Sequence, residues 1–260
     1  MSRVKVLLVG ETWITQSIHI KGVDSFTTSS LESGADAFID ALTADGFAEV
    51  DHLMGHDVAK KFPDSLSVLS GYDAIIISDI GRRSFELHPD TWYSGIPKVD
   101  RLALLHDWVK DGGGLGMVGG YLSFQGLNGA ARYRGSAIAD VLPVIMQEWD
   151  DCVEVPVGTV PKVVRDHEIT CRIPPDWRPL LGYNKLRARP GCDVLCTVDD
   201  HPLLAVGTAG CGRSLAWASD MGPHWCPEAF SNWEGFRELW RGAIRWLSGS
   251  GQPGTPAAWT

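Results

Sequence analysis

Residues 109–126 run Val-Lys-Asp-Gly-Gly-Gly-Leu-Gly-Met-Val-Gly-Gly-Tyr-Leu-Ser-Phe-Gln-Gly. A helix ends at Lys110, Gly112 to Gly114 turn the chain, and Leu115 to Val118 make a short apolar strand. The chain then breaks at Gly119-Gly120 and presents Tyr121, Ser123, Phe124 and Gln125. Adjacent glycines after a buried strand imply positive φ or a close approach to the backbone. In an open parallel sheet such a break lies on the carboxyl edge, where ligands bind.

Working outward, Asp100 caps the preceding helix, whose Leu102, Leu105 and Val109 share one face. Arg3 to Val9 and Tyr72 to Ile80 read as strands buried on both faces, because their apolar runs do not alternate. Ala35, Phe38, Ile39 and Leu42 predict a helix over Gly34 to Asp45, with Ser33 at its start, and Glu49 to Leu53 a strand. Between Glu11 and Glu32 the reading is a long polar connection, and 81–99 is a second loop. The alternation of strand and helix predicts right-handed crossovers and a mostly parallel sheet with helices on both sides.

Beyond Gly126 come the loop Leu127 to Gly135 and a short helix, Ser136 to Leu142. Extra short strands follow in the C-terminal half, at Val144 to Val164 and Gly191 to Thr208. Leu181 to Asn184 reads as a loop and Leu215 to Ser219 as the last strong strand. Phe236, Leu239, Trp240, Ala243, Ile244 and Leu247 stripe one face of a final helix, with Ser231 and Glu234 spaced as a capping box. Residues 1–248 are expected to form one domain and the Gly/Ser/Pro-rich 249–260 a loose tail.

The net charge of -9 disfavours nucleic acid and anionic membrane, which require basic surface. No apolar run approaches the roughly 20 residues that span a bilayer. The opening residues are too short and strand-like for a secretory signal, so a cytoplasmic protein is expected. Six scattered cysteines agree with that. Cys192 and Cys196 have no second pair that would make a zinc site. The eleven tryptophans read first as core packing. Trp13 and Trp225, each just after a strand, read also as pocket walls.

Gly114-x-Gly116-x-x-Gly119 has the letters of a dinucleotide fingerprint, but its first glycines precede the strand instead of opening a helix. No phosphate-loop sequence is present. The bend at Gly119-Gly120 stands where a nucleophile elbow lifts a reactive side chain clear of the sheet. Glycine offers none. Ser123 nearby reads as a nucleophile or as a hydrogen-bonding group. His224, with Asp220 before it, reads as a general base or metal ligand, or as the anchor of the Gly-Pro turn. Glu11, His19, Asp79 and Asp220 could together hold a divalent metal, although their spacing is no metal motif. Lys21 and Arg82 would pair with these acids or meet an anionic substrate. No cofactor is called for.

Glu11-Thr-Trp, His19-Ile-Lys-Gly, Ser78-Asp-Ile-Gly, Gly119-Gly-Tyr-x-Ser-Phe-Gln-Gly, Leu181-Gly-Tyr-Asn and Ala218-Ser-Asp…Gly-Pro-His-Trp resemble bacterial glutamine amidotransferase-like proteins, of the class I glutamine amidotransferase-like fold. The resemblance spans the chain to about Ser248 and implies a flavodoxin-like three-layer α/β sandwich. Class I amidotransferases use Cys-His-Glu, with the cysteine on the elbow. Here the elbow carries Gly119-Gly120. His224 is a counterpart of the family histidine, but residue 226 is Cys where the acid is expected.

The leading expectation is therefore an amidotransferase-like protein that binds or transforms a small polar metabolite at the sheet's carboxyl edge. Catalysis would rest on His224, Asp220, Ser123 and Glu11. Binding would use Trp13, His19, Lys21, Asp79, Gly119, Gly120, Tyr121 and Trp225, with the glycine N–H groups cradling an anion. A homo-oligomer is expected. The alternatives are a non-catalytic scaffold module and a glutaminase subunit that delivers ammonia to a partner.

Overall fold

The structure, a computed structural model, describes residues 3–249. Its elements in chain order are β1 (Val4–Gly10), β2 (Thr12–Lys21), β3 (Asp24–Ser33), α1 (Asp36–Thr43), β4 (Ala48–Leu53), α2 (Gly55–Lys61), α3 (Leu66–Leu69) and β5 (Ala74–Ser78). Then come α4 (Arg83–Glu86), α5 (Pro89–Ser94), α6 (Arg101–Lys110), β6 (Gly114–Val118), β7 (Val144–Ile145), β8 (Cys152–Thr159) and β9 (Lys162–Val163). The chain continues with β10 (Leu180–Asn184), β11 (Arg187–Ala188), β12 (Asp193–Val198), β13 (His201–Ala209), β14 (Gly212–Trp217), α7 (Glu228–Ser231) and α8 (Glu234–Leu247).

The main sheet has eight strands in the order β4-β1-β5-β6-β14-β13-β12-β9. The first five are mutually parallel and the last three antiparallel. β5 and β6 are buried along their whole length, which is why their sequences are unbroken apolar runs. Helix α1 packs against α8 over one face, while α2, α3, α4 and α6 contact one another over the other. The protein is thus an α/β sandwich of the flavodoxin-like kind. β6 feels the packing directly. A Cβ on Gly114 would stand 2.4 Å from the carbonyl oxygen of Leu247 at the end of α8. The glycines that mimic a dinucleotide fingerprint are therefore, at Gly114, a consequence of helix–strand contact.

The apolar stripe of α8 is buried as its spacing predicts. Trp217, Phe230, Trp233, Phe236 and Trp240 meet edge-on or tilted in one aromatic cluster, so most of the C-terminal tryptophans serve packing. Asp100 caps α6, accepting from the N–H groups of Leu102 and Ala103 at 3.0 Å each.

Four sequence expectations are corrected. The polar connection after β1 is a β-hairpin, β2 paired with β3 in register from Thr12↔Ser33 to Lys21↔Asp24. Gly22, at φ 66, supplies the positive φ of its two-residue turn. The segment 81–99 contains α4 and α5. Leu181–Asn184 is strand, paired antiparallel with β8, because its partner lies far away in sequence and leaves no local mark. The capping box fails: Ser231 ends α7, and α8 starts from Trp233 without a side-chain cap. The tail expected over 249–260 lies, beyond Gly249, outside the described residues.

Replacing Asp100 by Ala removes both bonds to the first turn of α6. The expected loss is about 1 kcal/mol of unfolding free energy, measured as a lower urea midpoint with unchanged slope.

Candidate functional site

From β1 the chain crosses outward to β4 and returns to β5 on the other side of β1. The crossovers diverge there, leaving a crevice at the carboxyl ends of β1 and β5, the place where open α/β sheets bind ligands. Glu11 follows β1 and Asp79 follows β5. Both have left-handed backbone, at φ 54 and 40. Side chains in that region cost on the order of 1–3 kcal/mol and persist only where their surroundings hold them. For Glu11 the hold is its N–H on the Ser78 carbonyl at 2.8 Å, together with the Ser78 hydroxyl donating to its carboxylate. For Asp79 it is the backbone N–H donating to Ser123 Oγ at 3.0 Å, and the Leu122 N–H donating to its Oδ1 at 2.7 Å.

The end of β6 packs against these groups. Gly119 N–H donates to the Trp217 carbonyl at 2.8 Å, and Gly120 N–H to Asn184 Oδ1 at 3.0 Å. The Asn184 amide group in turn donates to the Gly120 carbonyl at 3.2 Å and to Asp151 Oδ1 at 2.8 Å. A Cβ on Gly119 would lie 2.6 Å from both Asn184 Oδ1 and the Ala218 carbonyl oxygen. On Gly120, which has φ 138, it would lie 2.7 Å from Asp79 Oδ1. The place of an elbow side chain is therefore filled by Asp79 and Asn184. The two glycine N–H groups expected to cradle an anion already have acceptors.

After β14, Asp220 is buried and its Oδ1 accepts from Met221 N–H at 2.8 Å and Gly222 N–H at 3.3 Å. Its Oδ2 faces His224 Nδ1 at 3.9 Å. His224 Nε2 stands 3.9 Å from Glu154 Oε1, and its ring centroid is 4.2 Å from that of Tyr121. Glu154 also accepts from the Tyr121 hydroxyl at 2.8 Å and from Trp225 Nε1 at 3.1 Å.

Burial dominates the electrostatics. It pushes Glu11 up to about 8, against the opposing hydrogen bond from Ser78. Burial also raises Asp220 well above the usual carboxylate range, with the charges of Glu11 and Asp79 adding to the effect. Asp79 is raised by burial too. Beyond burial, the charges of Glu11 and Asp79 disfavour ionisation of Asp220, and that of Asp79 disfavours ionisation of Glu11. Burial raises the thiols of Cys152, Cys192, Cys196 and Cys226 as well. None of these four is held as a thiolate.

A cavity of about 680 Å³ opens here, between apolar walls at Trp13, Tyr121, Leu122, Leu127, Ala130 and Pro223. Its polar groups are Asp79, Asn128, Asp220 and His224. Of the residues expected from sequence, Trp13, Asp79, Tyr121, Asp220 and His224 line it. Glu11 is buried beside Asp220, Ser123 is buried bracing Asp79, and Trp225 is buried edge-on to Tyr121. His19 and Lys21 are elsewhere, out on the hairpin. His19 bonds Thr28 and stacks on Phe26, and Lys21 lies over the same Phe26 ring. Arg82 pairs with Glu86. The expected convergence of Glu11, His19, Asp79 and Asp220 thus fails at His19. Among the described residues no three His, Cys, Asp or Glu side chains gather as a metal-ligand set. Sequence reasoning gave no site role to Asp151, Glu154 or Asn184, the last appearing only within the quoted Leu181-Gly-Tyr-Asn stretch. Their partners lie 25 to 71 positions away, and no local spacing marks them.

A family model described as "Putative glutamine amidotransferase" matches residues 5–249. Among solved structures, cytoplasmic protein STM3548 from Salmonella typhimurium is 39% identical, with a TM-score of 0.90, covering 94% of this chain and 99% of its own. Cytoplasmic protein STM1381 from Salmonella typhimurium LT2 is 42% identical, with a TM-score of 0.89 and the same coverage, 94% and 99%. A thua-like protein from Parabacteroides merdae is 13% identical, with a TM-score of 0.54 over 98% of this chain and 94% of its own, and shares the fold. No curated protein matches the chain.

Two outcomes follow from this packing. Gly120→Ala meets both the positive φ and the Asp79 carboxylate. It should cost about 1–3 kcal/mol in chemical denaturation. Glu11 has a raised carboxyl in the folded state, so below pH 4.5 its protonation costs nothing. As pH rises toward about 8 the unfolded chain releases a proton that the folded chain retains, and stability falls by at most about 1.4 kcal/mol per pH unit. Glu11→Gln removes this titration. Its melting temperature relative to wild type should therefore be more favourable at pH 8 than at pH 5.

Proposed function

Given that the chain belongs to the glutamine amidotransferase-like family, we propose that it binds or transforms a small polar metabolite at the carboxyl edge of its sheet, by acid–base chemistry and without a cysteine nucleophile. The observation that carries this reading is the Asp220–His224 pair facing the cavity, backed by the buried Glu11 and flanked by Asp79. Its volume, about 680 Å³, lies within the roughly 300–1,000 Å³ typical of ligand sites.

His224 is the general base. It is accessible to a ligand, and Asp220 orients its Nδ1 side. The separation of 3.9 Å is of the kind that tightens when substrate binds. Asp220 and Glu11, whose ionisation burial disfavours, supply the acid. Such a set serves a hydrolase that activates water, or a lyase that removes a proton beside a carbonyl. Thioester chemistry on glutamine has no support here, since Asp79 and Asn184 fill the elbow position. Among the described residues no Lys or Arg lines the cavity. The ligand's polar end is therefore a hydroxyl or amine instead of a carboxylate or phosphate, and its apolar part lies against Trp13 and Tyr121. The cytoplasmic description of the two Salmonella relatives supports the same location for this chain.

The test is a thermal-shift screen with polyols and amines set against carboxylates of matched carbon skeleton. At least one polyol or amine should raise the melting temperature, a ligand at 100 times its Kd contributing about 2.7 kcal/mol. His224→Ala and Asp220→Asn should weaken that ligand tenfold or more, and glutamine should release no ammonia. Selective stabilisation by carboxylates, or shifts indifferent to both substitutions, would remove the proposal.

A further inference from the structure

A second cavity, of about 310 Å³, lies between the end of α2, the start of α5 and the start of α6. It shares no lining residue with the cavity at the sheet's carboxyl edge. Lys60, His88, Lys98 and Arg101 line it, with Asp64 as its one acid and Phe62, Pro97 and Val99 as its apolar wall.

Arg101 is the unusual member. It is only 3% exposed, and a buried charge is ordinarily paired. Here it is not. Its Nη1 donates to the carbonyl oxygens of Val58 at 3.1 Å and Ala59 at 3.0 Å, in the last turn of α2. Among the described residues no acceptor stands on its Nε or Nη2. Neither atom is sealed from solvent, so both keep access to the cavity. Asp64 acts on the guanidinium through space, without an ion pair. Bracing the α2 carbonyls needs one nitrogen of the fork, and the rest is left over.

The neighbours add donors. Lys60 is exposed and makes no ion pair among the described residues. Lys98 Nζ is held by Asp90 at 2.6 Å and has further N–H groups to give. His88 Nδ1 accepts from the Asp90 N–H at 3.0 Å, which fixes the proton of the neutral ring on Nε2. The amides of Leu102 and Ala103 are already taken by Asp100, so side chains alone would hold a ligand. We propose that this cavity is an anion site for inorganic phosphate or a small phosphate monoester. Four separate side chains carry its donors, which suits an oxyanion with several oxygens better than a carboxylate with two. The apolar wall would take the carbon part of an ester. In a chain of net charge -9 such an anion is repelled unless cations are gathered for it.

The experiment follows the melting temperature of the full chain while inorganic phosphate, glycerol 2-phosphate or acetate is titrated in at fixed ionic strength. Phosphate, the monoester or both should stabilise saturably, and the tighter of the two names the source. Lys60→Gln should weaken that binding roughly threefold, and Asp64→Asn, which removes the opposing charge, should tighten it roughly threefold. Arg101→Lys keeps the charge but loses the fork, and should weaken it about tenfold. Should Arg101→Lys fail to fold, the two exposed positions carry the test. His224→Ala should leave phosphate binding unchanged, which separates this site from the one at the sheet edge. Stabilisation by acetate equal to that by phosphate overturns the proposal. So does the lack of a saturable phosphate shift, or an affinity indifferent to both Lys60→Gln and Asp64→Asn.

Discussion

The carboxylate of Asp79 lying over Gly120 is the contact on which the rest of the site depends. It is possible only because residue 120 has no side chain, and it holds Asp79 in a left-handed conformation that its backbone resists. Ser123 and the Leu122 N–H complete the clasp, so the turn after β6 and the turn after β5 position each other. Gly119 is bound into the same arrangement from the opposite side, through Asn184 and, behind it, Asp151. The bend that looks like an elbow without its reactive residue is thus a packed junction of two turns.

That junction places acids where water is scarce. Glu11, Asp79 and Asp220 come from the ends of β1, β5 and β14, three separate strands of one sheet. Desolvation makes their full ionisation costly. A fold selected for stability alone would replace such groups with apolar ones. Their retention beside His224, at the mouth of a cavity walled by aromatic and aliphatic side chains, suits a site that moves protons. A side chain at residue 120 and the Asp79 carboxylate exclude one another, because a Cβ on Gly120 would lie 2.7 Å from Asp79 Oδ1.

The pair β8/β10 lies between β6 and β14 in sequence, yet it serves the same edge. Through β8 come Glu154, which joins Tyr121, Trp225 and His224, and from its approach Asp151. Through β10 comes Asn184. The hairpin on the other side begins at the residue after Glu11, and Trp13 at its root lines the cavity. Its remaining length leaves the site behind.

The parallel half of the sheet was legible from sequence because strands buried on both faces must be continuously apolar, as Val6–Val9, Ala74–Ile77 and Leu115–Val118 are. The helix ending at Leu247 was legible because one face is buried and the other wet, and Asp100 because a cap acts on its own next turn. The hairpin was hidden by its exposure. With neither face buried, its Ser and Thr residues imposed no clean alternation, and only the even spacing of Ile14, Ile18 and Ile20 beside Gly22 hinted at it. Glu11, Asp79, Asp220 and His224 could be placed at strand ends by counting elements. That Asp79 fills the space above Gly120, that Asn184 and Asp151 brace the same bend, and that His19 and Lys21 stand away from it were decided by tertiary structure alone. Those contacts join positions tens of residues apart, and a van der Waals distance between such positions leaves no trace in local sequence.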